Sequence, residues 1–133
     1  MTFQELCSKL ETKIIASYEE GVTLEQAERL AGEFLAAQLR VSAELKVKDL
    51  DSRMRKTGLK AAKAVVYMDC GKSETKLTEA GKAAVVDSDE AIISEQLHLD
   101  KAEADKSELE RYYDIFLNAH IYFRGVAKGS FGG

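Results

Sequence analysis

The sequence predicts an all-α protein, a small helical domain closed by a long C-terminal helix. Three observations carry that prediction. The 133 residues contain no proline, so no position lacks the backbone N–H that a helix interior needs. Ala, Leu, Glu and Lys, all strong helix formers, are abundant. Apolar residues recur at spacings of three and four along most of the chain, the period of a helix with one buried face. A hydrophobic fraction of 45% beside a charged fraction of 32% suits a soluble chain with one core. A single helical domain is therefore expected over residues 1–128, with a flexible glycine-rich tail at 129–133.

The first helix is expected over residues 3–19, where Phe3, Leu6, Leu10 and Ile14 step by three and four, and it stops near Gly21. Thr23 and Gln26 form a capping-box pattern, which starts the next helix at Leu24. Its apolar face is Ala27, Leu30, Phe34, Ala37 and Val41. Residues 41–48 then alternate apolar and polar, the period-2 mark of a strand, yet no turn residue brackets them. Continued helix is the main reading, and one short strand at 41–48 is the alternative. Gly58 sits in the following helical pattern and costs about 1 kcal/mol against alanine, so a kink or break is expected at Thr57-Gly58. Residues 69–75 read as a loop, and residues 76–86 are weakly patterned. Ser88, followed by Asp89 and Glu90, reads as the N-cap of the closing helix, which has nothing to interrupt it before about Ala127. Near its end Leu109, Tyr113, Phe116, His120 and Phe123 step 4, 3, 4, 3, an a/d seam. That seam packs on the N-terminal helices, joins subunits, or does both.

Charge is segregated along the chain. Residues 1–39 carry net −4, residues 40–82 carry eleven basic against six acidic groups, or +5, and residues 83–133 carry −5. The overall −4 hides this basic centre. Within it, Arg53, Lys56, Lys60 and Lys63 fall at i, i+3, i+7 and i+10, one stripe of a helix, with no acidic residue between the first and the last. Lys46 and Lys48 widen the stripe. Met54, Leu59, Ala62, Val65 and Val66 are expected on the opposite, apolar side. A run of cations on a helix is as a rule a solvated face. This one stands apart because it is one-signed within an acidic protein, and such a stripe can follow a phosphate backbone and release its counterions.

Other chemistries fare worse. Gly71-Lys72-Ser73 ends like a phosphate-binding loop, but that motif needs glycine five residues before Gly71, where Val66 stands. His98 and His120 have no companion ligand at helical spacing, so no metal or cofactor is expected, and His120 reads as a hydrogen-bonded core or interface residue. No nucleophile–base set is evident, so the chain is not expected to be an enzyme. Cys7 and Cys70 read as reduced, partly buried thiols. No apolar run approaches the ~20 residues that span a bilayer. The N-terminus has early acidic residues and no apolar core of a secretory signal. Cytoplasmic residence without a membrane partner is the expectation.

The layout of several stretches resembles the UvsY-type recombination mediators of phages. They are a basic helix ending in LKAAKAVVYMDCG (residues 59–71), an acidic helix start VDSDEAI (86–92), and a closing helix with an Arg-Gly pair, YDIFLNAHIYFRGVAKG (113–129). The resemblance implies an all-helical homo-oligomer in the host cytoplasm that binds single-stranded DNA and assists a RecA-like recombinase on strands coated with single-strand-binding protein. It further implies that the basic helix, with Lys60 and Lys63, meets DNA and that the seam around Phe116 and Phe123 holds subunits together. The acidic ends and glycine-rich tail depart from that pattern. The competing expectation is a helical interaction protein, a host-takeover inhibitor or virion assembly factor, whose basic face docks on an acidic protein.

Overall fold

The computed structural model describes residues 2–72 and 77–129. Among these there are four helices and no strand: α1 Phe3–Glu20, α2 Leu24–Gly71, α3 Glu79–Ser88 and α4 Glu90–Ala127. The helix starts are built by short-range chemistry. Thr2 Oγ1 accepts from the Glu5 N–H at 3.1 Å, and the Glu5 carboxylate accepts from the Thr2 N–H. Thr23 and Gln26 make the same reciprocal pair at 3.1 and 2.9 Å, which starts α2 at Leu24 as the sequence predicts. Gly21 ends α1 at φ +74°, a left-handed value that glycine adopts without a Cβ clash.

Residues 41–48 are helical, as the main reading has it, and the strand alternative falls: the 3.6 period turns Val41 and Leu45 toward the core. Three other local expectations change. α2 runs through Gly58 without a break, since a single glycine costs too little to interrupt so many consecutive hydrogen bonds. Asp69, Cys70 and Gly71 belong to that helix, and the turn begins only at Lys72. Ser88 closes α3 and the cap of α4 is Asp89, whose Oδ1 accepts from the Ile92 N–H at 3.1 Å. The weakly patterned 76–86 segment holds the start of α3, capped by Thr78 Oγ1 on the Gly81 N–H at 3.0 Å. Ser73 and Lys76, and the glycine-rich tail beyond Gly129, lie outside the described residues.

The chain gathers into two compact units. One comprises residues up to 45 together with those from 108 onward. Its core joins Cys7 and Ile14 of α1, Ala27, Leu30, Phe34 and Val41 of α2, and Leu109, Tyr112, Phe116 and Phe123 of α4. The Phe34 ring lies 5.7 Å from both Phe116 and Phe123, centroid to centroid, and Tyr112 lies 5.7 Å from Phe116. His120 Nδ1 sits 2.8 Å from the Ala31 carbonyl oxygen, the hydrogen-bonded core histidine that its place on the seam predicts. Arg111 bridges Glu11 and Glu108 at 2.8 Å each, holding α4 on α1 and the Glu108 carboxyl below the usual glutamate range.

The seam of residues 109–123 therefore packs inside the chain. Leu109, Phe116 and Phe123 are buried, while Tyr113 is partly covered against the same core, as is His120 through its carbonyl partner. Cys7 and Cys70 are both free and buried, and burial pushes the Cys7 thiol up from its ordinary value.

The other unit comprises residues 46–107, from the second part of α2, α3 and the first part of α4. Its apolar core is smaller: Leu59, Ile92 and Leu99, with Ala62 and Val66 packed against them. An ion pair between Asp49 and Lys106, 2.8 Å long, ties α2 to α4 within this unit.

Candidate nucleic-acid interface

The second part of α2 carries the candidate surface. Ser52, Leu59 and Cys70 are buried and Val66 partly so, which fixes the side of the helix turned inward. At about 100° per residue these four fall within a band of roughly 40°. Arg53, Lys56 and Lys60 lie to one side of that band and are exposed, Arg53 with 76% of its side chain accessible. Lys46 joins them. The face continues in both directions at the same rhythm: Lys46, Asp49, Arg53, Lys56, Lys60, Lys63 and Tyr67 step 3, 4, 3, 4, 3, 4.

Three features depart from the sequence expectation. Asp49 stands on the cationic face, between Lys46 and Arg53, and its Oδ2 pairs with Arg53 at 3.1 Å. The hydrogen bond from Lys106, with the Arg53 charge behind it, holds the Asp49 carboxyl below the usual aspartate range. Lys48 does not belong to the stripe. It lies roughly 140° around the helix from Arg53 and lines a polar cleft with Asp51, Arg55, His98, Lys101 and Asp105. Arg55 pairs with Asp51 there at 3.2 Å. Finally, the apolar residues do not form one opposite face. Leu59 is buried and Ala62 and Val66 are partly covered, but Met54 is 65% and Val65 58% exposed. These two lie too far around the helix from Leu59 to reach the core.

Among the described residues, no carboxylate forms an ion pair with Lys46, Lys56, Lys60 or Lys63. The carboxylate that pairs with a cation of the row is Asp49, from α2 itself. Lys63, at the edge of the stripe, is half-buried and lines two adjoining grooves together with Asp87. One of these grooves also includes Tyr67 and measures about 460 Å³.

Tyr67 is held in place by α3. Its hydroxyl donates to Glu79, and the Lys82 ammonium lies 5.2 Å from its ring centroid and 3.6 Å from Glu79. The carboxylate raises the phenol from its ordinary value, and the phenol's hydrogen bond lowers Glu79. Both shifts fit a neutral phenol donating to a charged acceptor.

Among the described residues there is no cluster of three or more potential metal ligands, and no helix is long and apolar enough to cross a membrane. No protein-family model, curated protein or solved structure matches the chain.

Proposed function

We propose that this chain is a non-catalytic accessory protein that binds single-stranded DNA along the exposed face of α2, with Lys46, Lys56, Lys60 and Lys63 on phosphates and Arg53, paired with Asp49, in the same row. The observation that carries the reading is the alignment of these cations on one face, four of them without an ion pair among the described residues, in a protein of net charge −4. Cations in such a row gain by displacing the counterions that condense on a polyanion. A role beside a RecA-like recombinase, in a homo-oligomer, follows from the UvsY-type layout. Phe116 and Phe123 of the seam belong to the chain's own core, and contacts between subunits are proposed for surfaces other than these two rings.

Fluorescence anisotropy of a labelled single-stranded oligonucleotide, titrated at several salt concentrations, tests the reading. Binding that weakens with salt and is abolished by Lys56→Glu with Lys60→Glu supports it. Absence of binding at low salt, or binding indifferent to the double reversal, overturns it.

A second reading, docking on an acidic protein partner, is favoured by the exposed apolar row Val47, Leu50 and Met54 beside the cations. Replacing Leu50 and Met54 by serine separates the two. Oligonucleotide affinity is unchanged under the first reading, whereas a protein partner loses its apolar anchor under the second.

A further inference from the structure

We propose that the groove beside Tyr67 receives a nucleobase of the strand whose phosphates lie on the cationic face. This rests on the DNA-binding reading above and adds a base-contacting site to its phosphate contacts.

Register comes first. Tyr67 is the next residue of the row Arg53, Lys56, Lys60, Lys63, four positions beyond Lys63 and about 6 Å farther along the axis. A backbone following the lysines is therefore carried to the phenol ring. Lys63 belongs to both features, as a cation of the row and a wall of the groove.

The groove suits the flat, largely apolar body of a base. It measures about 460 Å³ and is walled by Ala64, Met68, Ala83 and Val86, with polar groups at Lys63, Glu79, Asp87 and the Tyr67 hydroxyl. That is the usual make-up of a small-molecule site, an apolar surface with a few placed polar groups. Asp87 makes no ion pair among the described residues and is placed to accept from an exocyclic amine.

Tyr67 is also prepared for stacking. The bond to Glu79 fixes the ring, so little rotamer freedom remains to be lost on binding. The Lys82 ammonium lies over the ring, and Tyr67 as a residue is still 41% exposed. Stacking on an aromatic ring tolerates any base, as every base has a π-face, so the site would strengthen binding without imposing a sequence.

The test compares two labelled ligands of equal length on the full chain: a single-stranded oligonucleotide and its abasic counterpart with the same phosphates. The parent protein is expected to bind the base-bearing strand about tenfold more tightly. Tyr67→Ala should erase that difference while leaving the salt dependence and the abasic affinity as they were. Tyr67→Phe, which keeps the ring, should retain most of it. Equal affinity of the parent for both ligands overturns the base site even if Tyr67→Ala misfolds, because the parent alone decides. In that event, loss of both affinities on Lys60→Glu would leave the phosphate reading standing. Binding of neither ligand removes both proposals and leaves the protein-docking reading.

Discussion

Asp49 sits where a DNA-binding face least tolerates it, and removing it should improve binding. In the folded protein it neutralises Arg53 across 3.1 Å, leaving Lys46, Lys56, Lys60 and Lys63 as the cations of the row without an ion pair among the described residues. For single strands, log K falls with log salt by about 0.7 for each phosphate neutralised. Four cations thus give a slope of about −2.8, and a fifth, released by Asp49→Asn, gives about −3.5. At 0.1 M salt the same relation makes the gain in affinity about fivefold. The assay is anisotropy of a labelled oligonucleotide between 50 and 200 mM salt, with circular dichroism to verify that α2 and α4 survive loss of the Asp49–Lys106 pair. A slope unchanged in the variant, or affinity that drops while helicity is intact, would refute the assignment of Arg53 to a phosphate.

Three other outcomes follow from packing and electrostatics. Phe116→Ala deletes a ring with no exposed surface, packed on Phe34 and Tyr112, and should cost about 3–5 kcal/mol in urea unfolding; a loss under about 1 kcal/mol would contradict this core. Gly58→Ala should stabilise the protein by up to about 1 kcal/mol, seen as a higher melting temperature, because a Cβ there meets nothing within 4 Å and the helix is unbroken. The third concerns acid. Arg111 lowers the Glu108 pKa in the fold, so the unfolded chain takes up a proton first as pH falls. The stabilisation is complete above the unfolded-chain glutamate value of about 4.3 and is lost as pH drops through the lower folded value. Glu108→Gln should lower the melting temperature at neutral pH and flatten its decline below about pH 4.

Much of the architecture was legible because it is local. The cap at Thr23 lies within three residues of the groups it satisfies, and the absence of proline removes the strongest helix breaker. The cationic row was legible too, as helical geometry alone places residues three and four apart on one face. Reading the cap of α4 as Ser88 failed for a related reason: Ser88 and Asp89 are both good capping residues, and only the short helix ending at Ser88 decides between them. That helix was missed because its ten residues include small alanines and little periodicity.

By itself, then, the sequence determined the helical class, the ends of α1, the start of α2 and the alignment of Arg53, Lys56, Lys60 and Lys63. Tertiary structure decided which side of each helix faces inward. Phe116 and Phe123 turned out to be core, Met54 and Val65 surface, and Lys48 part of a polar cleft off the row that holds Lys60. It also set Tyr67 against Glu79 and Lys82, and Asp49 against Lys106. The physical reason is range. Backbone hydrogen bonds and caps act within four residues and are written in the local pattern, whereas burial and ion pairing depend on segments that meet only after the chain has folded.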